Sequence, residues 1–142
     1  MFLLFKIPSA FFSGVRVREI TEEKCAVTVP YKWFSQNPFR STYFACLSMA
    51  GEMSTGSLAM LHVYQRQPAI SMLVTKTEGT FFKKATGVTT FLCEEGKPIK
   101  DTIEKAVATG EPQTFVARTR GTNAQGELVA EFLITWSFKA KS

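Results

Sequence analysis

One uninterrupted segment, Tyr43–Tyr64 (YFACLSMAGEMSTGSLAMLHVY), constrains the fold more than any other. It holds no proline and no β-branched run, and Leu, Met and Ala, all strong helix formers, dominate it. A helix of about twenty residues spans about 30 Å, the width of a small domain. Apolar or small residues fall on nearly every face, which predicts a helix enclosed by the rest of the chain. Ser41 or Thr42 is the expected N-cap. Ser48, Glu52, Ser54, Thr55 and Ser57 make the segment too polar for a membrane span.

What encloses that helix is predicted to be sheet. Val15–Ile20 and Cys25–Val29 alternate with a period of two and flank a polar turn, Thr21-Glu22-Glu23-Lys24. Beyond Pro68 come Ile70–Thr77 and Phe81–Ala85, with Glu78-Gly79 as the expected bulge, and then Thr86–Glu94. A second helix opens with Pro98 in its first turn, repeats Ile99, Ile103 and Val107, and stops at Gly110 and Pro112. Gln113–Arg120 and Glu127–Lys139 form a last hairpin around Gly121–Gly126. Met1–Phe12 is a short apolar stretch interrupted by Lys6 and Pro8. With no basic residues before it, it reads as an amphipathic lead-in that caps the core rather than as a signal peptide. The 142 residues fit one domain, 1–142. Hairpins imply an antiparallel sheet, whose apolar face needs the long helix for cover. The expected fold is α+β, a curved antiparallel sheet wrapped around one long central helix. One edge strand is left to pair with a second copy.

Composition narrows the chemistry. The net charge of +5 favours anionic partners without choosing among them. The basic residues are scattered, as on a solvated surface. Cys25, Cys46 and Cys93 are odd in number and far from CxxC spacing, so buried free thiols in a reducing, cytoplasmic compartment are expected. His62 is the single histidine, which excludes a multi-His metal site and most Ser/His or Cys/His catalysis. No metal and no cofactor is expected.

Glu52 is the one charged residue between Arg40 and Arg66. At helical spacing it shares a small, polar face with Ala45, Ser48, Thr55 and Ala59. Desolvation there would suit it to act as a general base. A solvent-facing or Arg-paired glutamate is the competing reading, at even weight. Asn37, in Gln36-Asn37-Pro38-Phe39, can offer a side-chain amide to a carbonyl or simply form an Asn-Pro turn. Backbone N–H groups at Ser41, Thr42, Tyr43 and Phe44 face the positive end of the helix dipole, suited to an oxyanion. Lys83 and Lys84, beside Phe81-Phe82, read as phosphate contacts or as a solubilising strand end. His62 lies about 15 Å from Glu52 along the helix and reads as structural.

Asn37-Pro38, a long helix with an acidic residue in its third turn, and Phe-Phe-Lys-Lys-Ala-Thr-Gly after it together resemble the hotdog-fold thioesterase superfamily. Within it the chain looks most like the poorly characterised branch near the phenylacetyl-CoA and hydroxybenzoyl-CoA thioesterases. The likeness covers nearly the whole chain. It implies the hotdog fold, a homodimer or a dimer of dimers, and acyl-CoA or acyl-carrier-protein thioesters as substrates. In that family the active site lies between subunits. Carried over, Glu52 takes the carboxylate role and Asn37 the amide. Tyr43 and Phe44 take the oxyanion role, with Ser48 and Thr55 on the same helix beside the substrate and Lys83 and Lys84 at the CoA phosphates. The sequence departs at Tyr43-Phe44-Ala45, where many relatives carry His-Gly-Gly. The alternative is a non-catalytic hotdog that binds acyl-CoA or lipid. Dehydratase relatives use a His with a carboxylate, and His62 is misplaced for that. A nucleic-acid-binding sheet is last in rank because the strand aromatics read as core, so no nucleic acid is expected.

Overall fold

The alternation read from the sequence becomes alternation in burial. The computed structural model describes residues 2–141. Strands β1 (Arg16–Ile20) and β2 (Cys25–Val29) form the first hairpin, and β2 pairs antiparallel with β4 (Thr89–Cys93). Cys25, Val27 and Val29 face inward opposite Cys93, Phe91 and Thr89, and all six are buried. Strand β5 (Gln113–Thr122) joins β4 to β6 (Leu128–Ala140), and β3 (Ile70–Phe81) pairs along β6 from Ile70–Ala140 to Phe81–Ala130. The sheet order is β1-β2-β4-β5-β6-β3, antiparallel throughout, so β1 and β3 are its edges.

Helix α3 (Phe44–Val63) lies against the inner face of this sheet, where Ala130, Phe132, Ile134, Trp136 and Phe138 of β6 form much of the core. Helix α4 (Gly96–Thr109) buries Ile99, Ile103 and Ala106 and ends on Gly110, whose φ of 70° is the left-handed conformation that glycine adopts without strain. The lead-in is two short helices, α1 (Phe2–Lys6) and α2 (Pro8–Phe12), divided at Pro8; Met1 lies outside the described residues. The architecture is the hotdog fold expected.

Close approach fixes the packing of α3. A Cβ on Gly51 would stand 2.8 Å from the Phe132 ring, and one on Gly79 of β3 would stand 2.6 Å from the other side of that ring. Phe132 therefore fills a slot that two glycines leave open. Buried hydroxyls tie the same layers together. Ser54 and Thr119 share a hydrogen bond of 2.6 Å, and Trp136 Nε1 donates to Thr55 Oγ1 at 2.9 Å.

Four local expectations are corrected. Residues 70–81 are one continuous strand, its irregularity lies between Val74 and Lys76 rather than at Glu78-Gly79, and residues 82–85 lie beyond the strand. Glu78 and Gly79 stay in register because β6 supplies partners, Leu133 and Phe132, for both. The N-cap is Tyr43, with no side-chain cap. Ser41 Oγ donates instead to Asn37 Oδ1, and Thr42 Oγ1 to the Ala85 carbonyl. The strand expected over 86–94 is confined to Thr89–Cys93. Finally, α3 is not buried all round, since Phe44, Met60 and Leu61 are exposed.

Candidate functional site

Two cavities flank α3, one at its start and one at its middle. The first, of about 590 Å³, collects Asn37, Tyr43, Phe44, Phe81, Lys83 and Lys84. Asn37 is the organiser of the approach to the helix. Its Oδ1 accepts from the Phe39 and Ser41 backbone N–H groups at 2.9 and 3.2 Å, and its Nδ2 donates to the Thr42 carbonyl at 3.5 Å. The Phe44 ring is 57% exposed and lies edge-on to Tyr43 (5.0 Å) and Phe81 (6.5 Å). Tyr43 makes no side-chain cap, and three of the N–H groups expected to serve an oxyanion are already engaged: Ser41 N–H by Asn37 Oδ1, Thr42 N–H by the Ala85 carbonyl at 2.8 Å and Tyr43 N–H by the Ser35 carbonyl at 2.7 Å. Lys83 Nζ contacts Glu127 at 2.6 Å, and Lys84 Nζ donates to the Phe39 carbonyl at 3.2 Å. Hydrogen bonds from Lys83 and Asn123 hold the Glu127 carboxyl below its ordinary range.

The second cavity, of about 350 Å³, lies between α3 and the lead-in helices. Glu52 lines it with Leu3, Phe11, Arg16, Met53 and Met60. The carboxyl is half-buried, and desolvation raises its pKa. Among the described residues it has no ion-pair partner. A Cβ on Gly56, one turn on, would stand 3.1 Å from Glu52 Oε1 and 2.9 Å from Trp136. Glycine at 56 thus leaves room for the carboxylate. The backbone beneath is braced, because Thr55 Oγ1 donates to the Glu52 carbonyl at 2.8 Å while accepting from Trp136.

Of the residues singled out in the sequence, Asn37, Tyr43, Phe44, Lys83 and Lys84 come together and Glu52 stands apart. Phe44 and Glu52 are eight residues apart on one helix, about 12 Å along its axis. Ser48 lies between them, with Oγ donating to the Phe44 carbonyl at 2.9 Å. Thr55 is fully buried in the core. His62 Nε2 lies 2.8 Å from the Glu22 carbonyl and ties the helix end to the first hairpin turn. Arg16, Phe11 and Gly56 were not singled out. The glycine four residues after the one helix carboxylate was the available signal for Gly56, whereas nothing local in the sequence placed the lead-in segment over Glu52.

The fold has close counterparts among solved structures. A protein of unknown function from Pseudomonas aeruginosa, described as a probable thioesterase, superposes with a TM-score of 0.83 at 18% identity, over 99% of this chain and 92% of that one. A protein of unknown function from Chlorobaculum tepidum superposes at 0.84 with 13% identity, over 99% and 91%. A mutant of a thioesterase from Pseudomonas aeruginosa gives 0.73 at 12% identity, over 93% and 86%. No curated protein matches the sequence. Among the described residues no helix is long and apolar enough to cross a membrane. The family described as a domain of unknown function (DUF4442) matches residues 1–138, and this chain, a hotdog fold, belongs to it.

Proposed function

We propose that the protein hydrolyses an acyl thioester, carried by CoA or by an acyl-carrier protein, with Glu52 as the general base. The observation that carries this reading is the unpaired, half-buried Glu52 carboxyl on the wall of an apolar cavity. Its raised pKa brings it closer to the working range of a base. Glu52 takes a proton from water and the resulting hydroxide adds to the thioester carbonyl. The oxyanion sits at a helix N-terminus, where N–H groups and the dipole stabilise it. Collapse of the tetrahedral intermediate breaks the C–S bond, and the departing thiolate takes the proton from Glu52.

Two sets of residues about 12 Å apart on one helix do not act on one carbonyl. The reading therefore needs a homodimer, with the Phe44 N–H at the helix start of one copy serving Glu52 of the other, since the Tyr43 N–H is held by the Ser35 carbonyl. The free β3 edge, twelve residues long, suits antiparallel pairing with a second copy. Asn37 orders the loop at the site, and Lys83 and Lys84 stand beside it for the CoA phosphates.

The test is thiol release from short-chain, long-chain and aromatic acyl-CoAs. Turnover should fall by about 10²- to 10⁴-fold in Glu52→Gln. Unchanged turnover in that variant would remove Glu52 from the mechanism. A second reading, a binder without turnover, draws on the exposed Phe44 ring at a position where many of the thioesterases the sequence resembles carry glycine. It predicts that the wild type retains acyl-CoA and releases no thiol, and that Phe44→Gly gains hydrolysis.

A further inference from the structure

A third cavity, of about 320 Å³, opens at the β1 edge of the sheet and shares only the wall residue Arg16 with the Glu52 cavity. Arg16, Arg18 and Lys32 line it, and no acidic side chain does. Among the described residues none of the three has an ion-pair partner. Arg18 Nε is aimed by Thr28 Oγ1 at 2.8 Å, and the Arg16 guanidinium is held by the Phe11 and Val15 carbonyls at 3.0 and 2.8 Å. These contacts fix the groups without cancelling their charge. Phe12 and Phe34 line the same cavity and belong to an exposed aromatic cluster. Phe12 and Phe34 stack at 6.0 Å, and Trp33 packs edge-on to Phe34 at 5.7 Å. Their exposures are 54%, 57% and, for Trp33, 79%. A large exposed aromatic patch marks an interaction surface.

We infer that this edge docks on an anionic membrane surface. Trp33, Phe34 and Phe12 sit at the headgroup boundary, while Arg18 and Lys32 meet lipid phosphates. Ring geometry favours lipid over nucleic acid. Bases stack on free aromatic faces, and Phe12 and Phe34 each turn one face to the other, while the three rings together form one exposed wedge suited to the headgroup layer. The inference does not depend on the thioesterase reading, because no residue of the two α3 sites takes part except the wall residue Arg16.

The test uses the full chain with vesicles of phosphatidylcholine alone or mixed with phosphatidylglycerol. The chain has two tryptophans. Trp136 is 7% exposed and hydrogen-bonded, so Trp33 reports on docking. The expected result is a blue shift of Trp33 emission with phosphatidylglycerol vesicles, lost at high salt and absent with phosphatidylcholine. Arg18→Gln and Lys32→Gln should each weaken partitioning about five-fold. Trp33→Ser with Phe34→Ser should abolish co-sedimentation while circular dichroism stays native. Equal binding to both vesicle types, or no blue shift, would overturn the proposal. So would retention of single-stranded DNA by the same residues. A drop in native mass in the Trp33→Ser, Phe34→Ser variant would assign the patch to a second copy instead.

Discussion

The role proposed for Glu52 puts function and stability in opposition. Burial raises its pKa above 4.5, so the folded chain holds this proton more tightly than the unfolded one. Its contribution to stability therefore falls as pH rises from the ordinary carboxylate value through the raised one. Glu52→Gln should raise Tm at neutral pH, and the gain should vanish below pH 4.5; a Tm at neutral pH equal to or below wild type would sink this account. As a base the group must be ionised, so kcat/KM should show an acid limb displaced above the usual carboxylate range, absent in the variant's residual activity. The cysteines give a second reading at this scale. Cys25 and Cys93, buried and opposite one another across β2 and β4, have pKa values pushed up by burial to about 11 and about 12. They should resist a thiol reagent at neutral pH until denaturant is added; rapid modification of either in the folded chain would contradict that. Glu52 was legible as the lone charge in an apolar helix. The separation of Lys83 from the strand was not, because strand propensity gives no sign of where the β6 partner stops.

Elements meet here through contacts that allow little adjustment. The N-terminus of α4 presses on the first hairpin turn, where a Cβ on Gly96 would stand 1.9 Å from the Glu22 carbonyl oxygen. Gly96→Ala should cost at least about 2 kcal/mol by denaturant unfolding, since backbone rather than a flexible side chain must give way. A loss below about 0.5 kcal/mol would show that the turn relaxes. Helix α3 is pinned to β6 through Thr55 and Trp136. Thr55→Val would strand the indole N–H in the core at about 1–3 kcal/mol, and Trp136→Phe in the same background should recover part of that loss. The two longer helices and the first and last hairpins were readable from period and punctuation. The helix cap was misread because Ser41 and Thr42, good caps by residue type, are engaged by Asn37 and Ala85. A loop neighbour takes Ser41 and a long-range partner takes Thr42, overruling the preference of residue type.

At the scale of the whole molecule the open question is how many copies share a site. The dimer reading predicts a native mass of twice 15.8 kDa by light scattering. A monomer that still turns over would break the argument from the 12 Å separation along α3. The long central helix and the antiparallel sheet were legible because burial must match period across a domain this small, whereas the exposed side of α3 at Phe44, Met60 and Leu61 was not. The lead-in over Glu52 was legible only as a cap, because its target lies some forty residues away in the chain. The slot around Phe132 has an evolutionary consequence. Gly51 and Gly79 belong to different elements, yet each tolerates only what that one ring permits. The three positions should show strong epistasis. Gly79→Ala alone should be harmful and Phe132→Leu alone should leave a void, whereas the pair should be less harmful than the sum. Sequence change at this point is thus ordered, with the ring shrinking before either glycine can gain a side chain, so relatives that differ at one of the three positions should be found to differ at another.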